Sequence, residues 1–200
     1  MSVHPQATGR RERNKQAKLE RITAAARELF AEHGVDEVTT QQIADKADIG
    51  TGTLFLYARN KGELLLLVQN SGYAEALAGG SASAEAIAET LQAVMAIIRP
   101  VVECNRVQVE NGRTYLREMI FGDPAEPHHR DALGLTLQTE EAIAAVLRRD
   151  PRIEPGDAAT IAHIISAIMF LAMAAPHHVG STVAQILAGI MDQVRVLLPR

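Results

Sequence analysis

Apolar positions in the first third of the chain follow a three-four rhythm. Leu19, Ile22, Ala26, Leu29 and Phe30 share one helical face with His33, and Gly34 supplies a stop. This predicts a helix over about 12–33. "TTQQIADKA" opens a short second helix, about 40–47, with Thr39 as cap and Gln42 placed to return the hydrogen bond. Residues 48–50 read as a tight turn and "TGTLFLYA" as a third short helix. "NKGELLLLVQNSGYAEAL" restarts at Asn60, a second cap with Glu63 in the capping-box position, and runs to about 78. "AGGSAS" then predicts a hinge between domains. Ile87, Leu91, Val94, Met95, Ile98 and Val102 trace a helix that Pro100 should kink or end early. Four more helices are expected over about 105–121, 127–149, 156–175 and 180–198, separated by "FGDPAEP", "DPRIEPGD" and a short break. No stretch reads as a strand, so the expected fold class is all-α.

Composition narrows this picture. The 200 residues are 47% hydrophobic and 22% charged with no tryptophan, an ordinary soluble helical chain of one or two domains. The single cysteine, Cys104, can form no internal disulfide and no Cys/His cluster has zinc spacing, so a cytoplasmic location with no metal and no cofactor is expected. The start, "MSVHPQATGRRERNKQ", is polar and basic, which argues against a secretory signal. Residues 158–176 are nearly uncharged, but His163 and Ser166 interrupt them and no Lys or Arg flanks them. They read as a buried helix, with no membrane span.

Charge is unevenly spread. Residues 10–21 hold six cations against two acids, a net +4, whereas from 63 onward 10 arginines face 16 acids, a net −6. All four lysines lie at positions 15, 18, 46 and 61. A basic front on an acidic remainder points to an N-terminal polyanion contact.

Two short helices joined by a tight turn behind a basic segment suit a helix-turn-helix reader of DNA. Gly50 and Gly52 keep side chains short where backbone approaches the nucleic acid. Thr51 and Thr53 can bond phosphates or touch a thymine methyl, Tyr57 offers a hydroxyl, Lys61 a charge, and Leu54 anchors the segment to the core. Arg10, Arg11 and Lys15 belong to a basic arm able to reach phosphates or the minor groove.

The stretch "GVDEVTTQQIADKADIGTGTLFLYARNKGELL", 34–65, resembles the DNA-binding signature of the TetR family of bacterial transcriptional regulators, and "ITAAARELFAEHG" resembles that family's first helix. The spacing from Gly34 through Ile43, Ala44, Gly52, Thr53, Leu54 and Tyr57 to Lys61 carries the likeness. Asp48 and Gly50 stand where the family usually has glycine and serine, with Asp48 able to serve as the replacement cap. Phe55 stands where tyrosine is common, and Ala58 replaces a usual phenylalanine. In the family pattern the start of the second helix, here Thr39, Thr40 and Gln41, also touches phosphate, and Phe55 lies within the DNA-facing segment.

The resemblance implies an N-terminal three-helix helix-turn-helix DNA-binding domain, 1–62, joined through a helix over 61–78 to a helical ligand-binding and dimerisation domain, 63–200. It implies a homodimer on palindromic double-stranded operator DNA, acting as a repressor that a small-molecule effector releases. The last two helices would pair with their copies through Ile164, Ile168, Val183, Ile186, Leu187, Ile190, Met191 and Val194. The stripe in the final helix points the same way.

Met95, Ile98, Leu116, Met119, Ile120, Phe121, Leu137, Met169, Phe170 and Met173 can line a pocket for an apolar or aromatic effector, with Gln92, Arg117, Gln138 and His163 as polar anchors. Each has a plainer reading as core, His163 as a satisfied core histidine. His128/His129 and His177/His178 invite a metal reading, but adjacent helical residues do not share a face. Glu140, Glu141 and the acids of 150–157 read as solvated surface. The competing function is a helical carrier or enzyme. No nucleophile, base and orienter stand at recognisable spacing, so no catalytic residue is assigned.

Overall fold

A computed structural model describes residues 9–199, so the first eight residues of the polar, basic start read above lie outside the described residues. Nine α-helices and no strand occur among the described residues. In order they are α1 (Arg10–His33), α2 (Thr40–Lys46), α3 (Thr51–Leu54), α4 (Lys61–Glu85), α5 (Thr90–Asn105), α6 (Val109–Phe121), α7 (Pro127–Leu147), α8 (Asp157–Ala174) and α9 (Val183–Leu197), with a 3-10 turn at Pro176–His178.

Helices α1, α2 and α3 close over Ile22, Ala26, Phe30, Ile43, Ala44 and Leu54, all with essentially no exposure. Gly34 ends α1 at φ 80, ψ 156, backbone space open in practice to glycine alone. Thr39 and Gln42 form the expected capping box on α2. The Asn60 carboxamide accepts the Glu63 amide and caps α4. Glu63 does not return that bond. Its carboxylate reaches across to accept the His128 amide in the first turn of α7.

The hinge expected at "AGGSAS" is absent, because α4 continues unbroken to Glu85. The glycine there serves packing. A Cβ on Gly80 would stand 2.9 Å from both the Ala96 carbonyl oxygen and the Pro100 ring. Pro100 neither ends nor replaces α5, which runs on to Asn105. Lacking an N–H, Pro100 leaves the Ala96 carbonyl without its helical donor, and the bare face of Gly80 lets α4 lie against it. Gly80→Ala should therefore cost about 1–2 kcal/mol net of its gain in helix propensity, read as a lower midpoint in a thermal melt.

The body of the molecule is α4 through α9. Helix α8 is long and apolar enough to cross a membrane, yet Ala158, Ala162, Ile165, Met169 and Met173 are buried against α7, α6 and α9. Asp150, read above as solvated surface, is buried and holds Arg152 at 2.7 Å and the Thr90 hydroxyl at 2.9 Å. Those donors push its carboxyl well below the usual range.

Candidate functional site

Helices α2 and α3 present one polar seam. Thr51 donates to the Gln41 side chain at 2.6 Å, and Gln41 donates onward to Asp45 at 2.7 Å. Asp48 turns the chain between them at φ 52, a left-handed conformation that aspartate tolerates better than most residues. It does not cap α3, contrary to expectation. Gly50 occupies the cap position without a side-chain bond, while the Asp48 carboxylate lies 3.4 Å from Arg21 on α1. The start of α3 thus has no side-chain cap where Gly50 and Gly52 are exposed, while the Thr53 and Leu54 amides donate to the Gly50 carbonyl.

The arm and the motif are tied together. The Tyr57 hydroxyl donates to the Lys15 carbonyl at 3.4 Å, and the Lys61 ammonium donates to the Asp36 carbonyl at 3.0 Å. Arg10, Arg11 and Lys15 are exposed on the first two turns of α1, on the flank that Tyr57 reaches. Thr39 and Gln41 are exposed, Thr40, Thr51 and Thr53 half-buried, and Phe55 is exposed beside the still more exposed Leu56. The structure gathers all these positions on α1–α3 and the first turn of α4.

A cavity of about 230 Å³ lies between α4, α6, α7 and α8. Leu116, Met119, Ile120, His163, Met169, Phe170 and Met173 line it as expected, joined by Tyr73, Leu133, Thr136, Glu140, Ser166 and Ala167. Met95 and Ile98 do not reach it; they fill the core around α5. Arg117 is exposed and pairs with Glu118. Phe121 and Leu137 are exposed outside the cavity, on the outer faces of α6 and α7, and Gln92 and Gln138 are likewise exposed. His163 is no core histidine. Its side chain is 72% exposed, and its Nδ1 lies 3.0 Å from Glu140 at the cavity wall. Deeper in, the Tyr73 hydroxyl pairs with Thr139 at 3.0 Å, and burial pushes the Tyr73 and Tyr115 phenols up from their ordinary range.

The expected pairing face is split by the structure. Ile186, Leu187, Ile190 and Val194 turn inward against α5 and α8 and are buried within the single chain, so they are not available to a second copy. Val183, Met191 and Ile168 are half-buried and Ile164 is exposed. Ile164, Ala167, Ile168 and Leu171 instead form a shallow apolar groove with His177, His178 and Gln193, and Val196 is exposed on α9. A stripe in the sequence marks a helix's buried face, and here that face belongs to the chain's own core. Neither histidine pair lies in a group of three or more His, Cys, Asp or Glu side chains that could hold a metal, among the described residues.

Two struts that the sequence does not announce join the motif to the body. Asn111 on α6 accepts the Val35 amide and donates to the Phe30 carbonyl, both at 2.7 Å. His128 on α7 places Nε2 2.9 Å from the Tyr57 carbonyl, Asn70 donates to the His128 carbonyl at 2.9 Å, and Tyr115 donates to Asn70 at 3.0 Å. Burial raises the Glu63 carboxyl beside this strut, opposed by the His128 ring and amide. These partners stand 45 to 81 residues apart in sequence, so no local motif could reveal them.

A capped short helix, a tight turn and an open helix start behind a basic arm, set on a helical body with an internal cavity, define a helix-turn-helix DNA-binding regulator. Residues 22–68 match the family model for bacterial regulatory proteins of the tetR family. Over those residues the chain carries the DNA-binding segment that the family model describes. No functionally curated sequence matches it. Solved structures share the fold. A TetR transcriptional regulator from Rhodococcus sp. RHA1 has a TM-score of 0.71 at 15% identity, over 92% of this chain and 97% of that one. Thermus thermophilus FadR, a transcriptional repressor solved with lauroyl-CoA, has a TM-score of 0.69 at 23% identity, over 91% and 96%. AibR, solved with isovaleryl coenzyme A and operator DNA, has a TM-score of 0.60 at 15% identity, over 88% and 97%.

Proposed function

We propose that the chain is a cytoplasmic repressor that binds a palindromic operator as a homodimer and is released when a small apolar molecule enters the cavity between α4, α6, α7 and α8. The observation that carries this reading is the position of α6. One of its faces lines the cavity through Leu116, Met119 and Ile120, while Asn111, one turn or more away, grips the end of α1. A ligand that shifts α6 acts on the DNA-reading helices through a buried amide contact. The ligand-bound states of FadR and AibR support a regulator of this kind. The same reading divides the chain at 62/63, with α4 as the shared link.

On DNA, α3 enters the major groove with Thr51, Thr53 and Phe55 toward base edges. Thr39, Thr40, Gln41, Tyr57 and Lys61 contact the backbone, Gly50 and Gly52 admit it closely, and Arg10, Arg11 and Lys15 follow the adjoining phosphates. The second copy sits on the groove of Ile164, Ile168 and Leu171, with Val183 and Met191 at its margin.

The test is binding of purified protein to the intergenic DNA beside its own gene, at two salt concentrations with nonspecific competitor. Tight binding that survives competitor is expected. Binding erased by competitor would leave only a phosphate contact. Arg11→Ala and Lys15→Ala should each lower the slope of log affinity against log salt by about one across all sequences, whereas Thr51→Ala should change preference at particular base pairs. Unchanged slopes and preferences would place this face away from the DNA.

A further inference from the structure

The cavity has one carboxylate in its wall and no lysine or arginine, among the described residues. That carboxylate is Glu140, itself 22% exposed, whose oxygen meets His163 Nδ1 at 3.0 Å while the imidazole lies mostly in solvent. The rest of the wall is mostly apolar side chain from Leu116, Met119, Phe170 and their neighbours, with the hydroxyls of Tyr73, Thr136 and Ser166 among them; Tyr73 pairs with Thr139, and Thr136 donates to the Ala132 carbonyl. Resting on the reading of this cavity as the effector site, we infer that the effector is a small amphiphile with a cationic amine head, which takes the place of His163 on Glu140, and an apolar body that fills the cavity.

The argument is electrostatic and volumetric. A carboxylate in a mostly apolar wall favours a cation and disfavours a second anion. A charge-assisted bond from an ammonium to Glu140 is also stronger than one between neutral groups. A fatty acid would set its carboxylate against Glu140 with no lysine or arginine in the wall to receive it. As for size, a cavity of about 150 Å³ holds benzene. The volume of about 230 Å³ here accepts a body larger than one ring or a medium alkyl chain. His163 acts as a placeholder at the mouth, giving Glu140 a partner until the ligand arrives.

Three probes of one length separate the parts of this inference: octylamine, octanol and octanoate, titrated calorimetrically into the full-length protein. Octylamine should bind about tenfold tighter than octanoate, with octanol between them. Glu140→Gln should bring amine and carboxylate within about twofold of each other. His163→Ala, which removes the competing donor, should tighten octylamine binding and so checks the site through a variant that keeps the carboxylate. Octanol binding without amine preference, or tighter octanoate binding, would overturn the charge inference while leaving the cavity as the effector site. No heat from any of the three probes would overturn the cavity reading itself.

Discussion

Ile190→Asp leaves no folded chain, while Leu171→Asp yields a folded monomer: this is the expected contrast between two apolar positions on adjoining helices. Ile190 is 0% exposed, packed with Ile186 and Val194 against α5 and α8. An aspartate there forfeits the burial of a large side chain and places a carboxylate among aliphatic groups with no cation to meet it. The cost is about 4–5 kcal/mol or more, most of the stability of an ordinary domain. Leu171 is 64% exposed in the single chain, so the same substitution costs the monomer little. In a two-fold dimer it enters the interface twice, at about 2 kcal/mol each, which weakens association about a thousandfold. Circular dichroism melts and light scattering at micromolar concentration read the two effects. A cooperative melt for Ile190→Asp would mean that α9 is rotated from the orientation described, and a persistent dimer for Leu171→Asp would move the interface to another face. Operator affinity should fall with Leu171→Asp, because one reading head then binds without its twin.

Asn111→Leu is expected to lower stability by about 2–3 kcal/mol and to weaken the link between effector and operator. Asn111 is 4% exposed and its carboxamide serves two backbone groups of another element. The Phe30 carbonyl keeps a second donor in the Gly34 amide at 3.0 Å, but the Val35 amide is left buried with no acceptor on that side. An orphaned buried donor carries most of its desolvation penalty. For a chain of this length the loss corresponds to roughly 5–10 °C in melting midpoint. Asn111→Asp keeps the acceptor for Val35 but buries a carboxylate against the Phe30 carbonyl oxygen, so it too should lower the midpoint. The functional readout is the ratio of operator affinities with and without saturating effector. That ratio should shrink in Asn111→Leu, since α6 would move without carrying α1. An unchanged ratio would assign the coupling to the His128–Asn70–Tyr115 strut instead.

Legibility of the site differs by the distance over which its parts interact. The Thr39–Gln42 capping box, the Asn60 cap, the glycine stop at 34 and the turn at 48–50 involve neighbours within about four residues, and each helix of the DNA-reading motif could be placed from them. Asp48 shows the limit even there. Its type suits either a cap or a left-handed turn, and in the fold it takes the second, with its carboxylate facing Arg21 of α1. The glycine pair within 79–80 was ambiguous in the same way. A glycine permits a hinge and it permits close packing, and the freed Ala96 carbonyl on α5 decides for packing.

From sequence alone follow the all-helical class, the position of the reading motif, the basic arm and the identity of the apolar faces, because these depend on local spacing and residue type. Which apolar positions meet the chain's own core and which stay exposed was decided by tertiary structure. Ile190 and Leu171 are equally hydrophobic, and only the packing of α5 and α8 around α9 separates them. The same holds for Glu140, an acid in an exposed-looking pair that the crossing of α7 and α8 places in a cavity wall, and for Asn111 and His128, whose partners across the fold lie 58 to 81 residues away. Periodicity tells which side of a helix is covered, but what covers it depends on how the helices cross, and that is a property of the packed molecule as a whole.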